Sequence, residues 1–220
     1  MKSRGAFVIF LLVAVFSGLP GCSAYNLLDK LENPGGTPAA PAARKIFVNS
    51  VSTTGTFSNY ITIPGCTGLS GIAAADCACK IQAGAAGLAN SNRFIAWLSD
   101  NSNDALCRVQ GFSGSACSVN SSSAWYNVKG DLVAAGLADF TSGSLKAGVQ
   151  YTETGGISAS SVFTATTGAG IKSGSNCLNW TSLSGIDFST VGLPTSTTSA
   201  WTDNGTAGCT SGTVYCIEPQ

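Results

Sequence analysis

The sequence predicts an α+β domain with a mainly antiparallel sheet, braced by disulfides. Three observations predict it. An alanine-rich stretch early in the chain reads as a helix, many short apolar runs after it read as strands, and eight cysteines form an even set once one is assigned to an anchor. No unit of about 20 to 50 residues recurs, which excludes a solenoid.

Residues 71–88, GIAAADCACKIQAGAAGL, are dominated by alanine, the strongest helix former. Ser70 stands where an N-cap belongs, Asp76 lies near the start, and the stretch ends before Asn90. At about 100° per residue, Cys77 and Cys79 sit roughly 200° apart around the axis. They face opposite sides and need different partners.

From Phe94 onward the apolar runs shorten. They are 94–100 (FIAWLSD), 124–128 (AWYNV), 131–140 (DLVAAGLADF), 149–153 (VQYTE), 161–166 (SVFTAT) and 213–218 (TVYCIE), separated by Gly, Ser, Asn and Thr clusters. Their lengths and boundaries suit strands. The alanines and leucines of 131–140 suit a helical turn equally well.

The N-terminus carries an address. Lys2 and Arg4 precede an apolar run over 6–19, too short to span a bilayer and of the length of an export signal. It ends in Leu19-Pro20-Gly21-Cys22, which resembles a bacterial lipobox. The resemblance implies a signal peptide over 1–21 and an acylated Cys22, with each buried CH₂ contributing about 0.8 kcal/mol to membrane attachment. Residues 22–43 are rich in Pro, Gly and Ala without periodicity and read as a flexible linker spanning roughly 25 Å. The folded domain then covers 44–220.

Composition excludes several functions. The chain has nine cysteines and no histidine, so Ser-His and Cys-His dyads and imidazole metal ligands are absent. Charged residues make up 10%, with no net charge, against about 25% in ordinary domains. No basic footprint for nucleic acid exists. Loss of 1–21 removes Lys2 and Arg4 and no acid, leaving 9 Lys+Arg against 11 Asp+Glu. The acids are spread singly, so no carboxylate pair suggests a glycosidase, and the protein is read as no enzyme, without cofactor or metal.

The eight remaining cysteines are Cys66, Cys77, Cys79, Cys107, Cys117, Cys177, Cys209 and Cys216. An even set in an exported chain argues for disulfides, and zinc is disfavoured because there is no C-x-x-C pair and no histidine. The simplest local pairings, Cys66 with Cys77 and Cys107 with Cys117, each close a small loop. Spacing leaves the others open.

Ala75-Asp76-Cys77-Ala78-Cys79, then Ala85-Ala86-Gly87-Leu88 and Phe94-Ile95-Ala96-Trp97-Leu98-Ser99, resemble the opening of the collagen-derived endostatin domain. Ser161-Val162-Phe163-Thr164, Cys177-Leu178-Asn179-Trp180, Cys209 and Val214-Tyr215-Cys216-Ile217-Glu218 follow in that domain's order. With Ala138-Asp139-Phe140-Thr141-Ser142-Gly143-Ser144-Leu145 and Thr152-Glu153-Thr154-Gly155, residues 45–220 resemble the endostatin-like surface lipoproteins of leptospires. The resemblance implies a C-type-lectin-like fold and two bridges, Cys79 with Cys216 and Cys177 with Cys209. It does not extend to endostatin's zinc or heparin sites, because histidine is absent and Arg44, Arg93 and Arg108 are scattered along the chain. Trp201-Thr202-Asp203-Asn204 departs from the lectin calcium triplet, and Asn204-Gly205 reads as a turn.

Trp97 and Trp180 read as core aromatics packed on disulfides. Trp125 and Tyr126, beside a serine-rich stretch, are the candidate ligand-binding pair, with an ordinary edge strand as the plainer reading. The resemblance implies an adhesin, lipid-anchored in the outer membrane and exposed at the cell surface, binding extracellular-matrix proteins such as laminin and fibronectin or complement regulators such as factor H. The alternatives are a glycan-binding module and a structural envelope lipoprotein.

Overall fold

The computed structural model describes residues 43–120 and 123–220. The signal peptide, Cys22 and the linker as far as residue 42 lie outside the described residues.

The last strand, β8 (Thr213–Ile217), is the axis of the domain. All five of its residues are buried. Val214 and Cys216 enter one hydrophobic cluster, Tyr215 and Ile217 the other. A strand apolar at successive positions is what cover on both faces requires. β1 (Arg44–Val48) runs antiparallel to it, with Phe47 opposite Cys216. β2 (Ile95–Ala96) and β5 (Val162–Phe163) share its other side, β2 antiparallel and β5 parallel.

The sheet extends both ways from this centre. β3 (Trp125–Tyr126) pairs parallel with β1, and β4 (Leu132–Ala134) pairs antiparallel with β3. On the far side, β6 (Phe188–Gly192) and β7 (Thr206–Gly208) follow β5 in antiparallel pairing. The order is β4-β3-β1-β8-β5-β6-β7, with β2 beside β8. Five of the seven strand pairings are antiparallel, so the expected α+β class with a mainly antiparallel sheet is observed.

Helix α1 (Gly71–Ala85) covers one face. Its buried positions, Ala74, Ala75, Ala78, Cys79 and Ala83, pack with Phe47, Phe94, Phe163 and Val214. Alanine keeps this helix close to the sheet. Ser70 has the extended backbone of an N-cap but makes no side-chain capping bond. α2 (Ala105–Val109) and α3 (Leu137–Ser142) cover the other face, where Trp97, Trp125, Phe140 and Trp201 meet. Trp97 and Trp201 centroids lie 5.0 Å apart, Phe140 and Trp201 5.1 Å.

All four expected cysteine pairs are at disulfide distance: Cys66 with Cys77, Cys79 with Cys216, Cys107 with Cys117 and Cys177 with Cys209. Cys79 is buried against β8 while Cys77 turns outward to the 60s segment, as opposite helix faces require.

Several expectations are corrected. Residues 131–140 are both strand and helix, β4 then α3, because Gly136 breaks the run and precedes the helix with extended backbone. Residues 149–153 form only isolated bridges, Val48 with Thr152 and Tyr151 with Ile157. β1, β6 and β7 lie outside the apolar runs that read as strands. Trp97 is core, but it packs on aromatic rings rather than a disulfide.

Candidate functional site

The segment 177–188 concentrates features that packing alone would remove. Four of the eleven exposed large hydrophobic residues among the described ones fall in it: Leu178 at 63%, Leu183 at 62%, Ile186 at 84% and Phe188 at 50% exposure. Isolated surface apolar residues need no explanation, whereas several in one short segment call for a structural account.

The segment begins with an unusual backbone. Cys177, Leu178, Asn179 and Trp180 have φ of 52°, 53°, 59° and 63°, a run of four non-glycine residues in the left-handed region. Each L-residue held there costs roughly 1–2 kcal/mol, so the surroundings must over-determine the turn. They do so from three sides. Cys177 is tied to Cys209. Trp180 is buried between Phe57 and Phe163, and its Nε1 donates to the Ser99 carbonyl at 2.9 Å. The Asn176 side chain accepts from the Asn179 N–H at 2.8 Å and donates to Asn101 Oδ1 at 2.7 Å, while the Asn101 N–H donates to Asn179 Oδ1 at 3.0 Å.

The remainder of the segment is strapped to β7. The Cys209 N–H donates to the carbonyls of Ser184 and Asp187, each at 3.1 Å, and Ser182 Oγ donates to the Asp187 carboxylate. Gly55 seats the base: a Cβ there would lie 2.6 Å from both Cys177 Sγ and the Ser182 carbonyl. Leu183 and Ile186 stand outward on this tethered loop. Phe188 opens β6 with its ring on the exposed face, and its partner across the ladder is Gly208, which has no side chain to cover it.

No family model matches the chain, and no curated protein matches it.

The residues singled out by sequence fall elsewhere. Trp125 is fully buried and its Nε1 donates to the Glu218 carbonyl at 2.8 Å. It is neither exposed nor on an edge strand, because β3 lies between β4 and β1. Trp125 therefore leaves the candidate ligand set, and Tyr126 is half-buried under Lys45. Trp201 is core, Asp203 accepts from the Gly168 N–H at 3.2 Å, and Gly205 takes a φ of 90°, the turn expected of Asn204-Gly205. Among the described residues no group of three or more Cys, Asp and Glu is placed to hold a metal ion.

The arginines are scattered in sequence but not all in space. Arg44 Nε and Arg93 Nη2 both donate to the Pro219 carbonyl, at 2.9 and 3.3 Å. Burial, opposed by Glu218 and reinforced by Arg93, lowers the Arg44 guanidinium below its usual value. Arg108 stands apart, paired with Asp76. One hollow, of about 410 Å³, lies beside Leu88, Lys129 and Glu153. The buried Glu153 carboxylate there is occupied by the Ser50 N–H and hydroxyl. It is a structural acceptor rather than a free acid.

Sequence reasoning missed the 177–188 loop because Leu183, Ile186 and Phe188 sit among Ser, Gly and Asp without any period. Their meaning depends on which face remains uncovered.

Proposed function

We propose that this chain is a bacterial lipoprotein, acylated on Cys22 and displayed on the outer membrane, whose domain binds host extracellular-matrix proteins or complement regulators. The observation that carries the reading is the rigidly held apolar loop over 177–188. A disulfide, a buried tryptophan and an asparagine cluster keep its side chains in water, where they have no role in folding. Loops on a braced scaffold are where recognition concentrates.

A C-type-lectin-like, endostatin-like arrangement is the finer fold we propose. Two bridges favour it: Cys79 with Cys216, joining the first helix to the last strand, and Cys177 with Cys209, closing the loop region. The antiparallel neighbours β1 and β8, which bring the domain's ends together, favour it too.

The test is protease shaving of intact cells followed by laminin binding. Loss of the protein to added protease, and laminin binding abolished by reduction and alkylation, are expected. Protection from protease, or binding that survives reduction, overturns the reading.

A further inference from the structure

We infer that the outer edge of β7, flanked by Phe188, Ile186 and Leu183, is a docking edge for an extended, uncharged polypeptide strand, which joins the sheet through backbone hydrogen bonds. The inference rests on the adhesive reading above and adds the chemistry of the partner.

The ladder register shows which groups are free. The Val191 N–H donates to the Gly205 carbonyl at 3.0 Å, and the Cys209 N–H to the Asp187 carbonyl at 3.1 Å. Bonded and non-bonded pairs alternate in an antiparallel ladder. Ser189 with Ala207 is therefore a bonded pair, while Thr190 with Thr206 and Phe188 with Gly208 are not. The N–H and C=O of Thr206 and Gly208 consequently point away from β6, and β7 ends the strand order.

The two ends of the sheet differ. At β4, the Lys146 N–H donates to the Val133 carbonyl at 2.8 Å and covers that edge. Proteins commonly blunt an open edge with lysine or proline. Residues 204–210, NGTAGCT, contain neither.

The apolar side chains gather at this edge. Phe188 lies opposite Gly208 in the register. The Gly185 carbonyl sits 2.9 Å from where a Gly208 Cβ would be, which brings the loop carrying Leu183 and Ile186 onto the same face. The surroundings also select against charge. From residue 173 to 217 there is no Lys or Arg, and the only acids are Asp187 and Asp203. An acidic partner strand would lose water here without gaining a counterion, and a basic one would meet only Asp187, which already accepts from the Ser182 hydroxyl, and Asp203, which already accepts from the Gly168 N–H.

Together these features specify the occupant. Outward donors and acceptors on alternate residues match another extended backbone, with a repeat of about 6.6 Å. A helix has no such groups free. Strand addition takes affinity from the backbone and specificity from alternate side chains, so an apolar residue at every second position would meet Phe188 and its neighbours.

The experiment uses the full oxidised chain and two capped heptapeptides of alternating Val and Thr, one plain and one N-methylated at alternate amides. Amide exchange at Thr206 and Gly208 is expected to slow by at least about tenfold with the plain peptide and to stay unchanged with the methylated one. No slowing, or equal slowing with both, overturns the inference. In parallel, laminin binding is compared for the natural chain, Thr206→Pro and Phe188→Ser. Proline removes the outward N–H of Thr206, a substitution edge strands accept, and both variants are expected to bind at least about tenfold more weakly. Equal laminin binding by all three overturns the edge as the laminin contact. Peptide protection without any laminin binding by the natural chain instead removes the adhesive reading and leaves the docking edge standing. If Thr206→Pro does not fold, exchange on the natural chain decides.

Discussion

One guanidinium nitrogen of Arg108 spans both carboxylate oxygens of Asp76, at 2.7 and 2.6 Å. The other donates to the Ala96 and Leu98 carbonyls at 2.7 and 3.1 Å, and Asp76 Oδ1 accepts the Ala96 N–H at 2.8 Å. Helix α1, strand β2 and helix α2 are thereby joined through one ion pair. The pair is mostly buried, with side-chain exposures of 12% and 22%.

Breaking this pair strands a carboxylate and two carbonyls. Arg108→Ala is expected to cost about 2–3 kcal/mol, less than the loss of a fully buried partner. Arg108→Lys should recover under half of that, because an ammonium cannot reach all four acceptors from one position. Urea unfolding of the oxidised protein measures both. A cost below about 0.5 kcal/mol for Arg108→Ala would reduce the pair to a surface contact.

The disulfides should rank by the chain they close. Cys79 and Cys216 are separated by 137 residues, Cys107 and Cys117 by 10. Loop-closure entropy predicts losses of about 5 and about 2.7 kcal/mol on paired Cys→Ser replacement. Denaturant midpoints of the two double variants should therefore differ clearly, the first being lower. The reverse order would show that native packing, rather than loop length, sets their contribution.

Legibility in the sequence tracked how local the determining contacts are. Alanine density, with Ser70 before it and Asn90 after it, marks α1, and the ten- and eleven-residue cysteine spacings mark two bridges. The bridge across 137 residues came only with the family resemblance, since spacing carries no information at that distance. β6 and β7, FSTVG and TAG, were illegible because Ser, Thr and Gly serve loops equally well and become strands only when β5 offers a ladder. Trp125 misled for a related reason: serine-rich neighbours suggest exposure, yet β1 and β4 enclose it. The apolar loop was hidden because exposure is a property of the fold.

Leu178 offers a direct test of the left-handed turn. It has φ 53° and ψ 52° and is 63% exposed, so it occupies a conformation that suits glycine while making few core contacts. Leu178→Gly should stabilise the domain by about 1 kcal/mol, relief of the backbone outweighing the greater freedom of the unfolded chain. Leu178→Ala, which keeps a Cβ, should change stability by less than about 0.5 kcal/mol. Thermal unfolding of the two variants distinguishes the effects. Stabilisation by alanine as large as that by glycine would mean that removal of the exposed side chain, and not the backbone, is responsible.

Two buried tyrosines predict alkaline sensitivity. Burial raises the Tyr215 phenol well above its ordinary value, and burial followed by the nearby Glu153 carboxylate raises Tyr60. Both remain neutral in the folded state at pH values where the unfolded chain, with tyrosines near 10, is already ionised. Unfolding then releases protons. The stability they support is complete below about pH 10 and falls above it by about 1.4 kcal/mol per pH unit for each tyrosine. Tyr215 Oη also donates to the Trp201 carbonyl at 2.7 Å. At neutral pH, Tyr215→Phe should therefore cost about 1 kcal/mol for the unpaired acceptor. Above pH 10 its stability should decline about half as steeply as that of the natural chain, so that the two curves approach each other. Urea midpoints measured across this range decide the matter: parallel declines would mean that Tyr215 ionises within the folded domain.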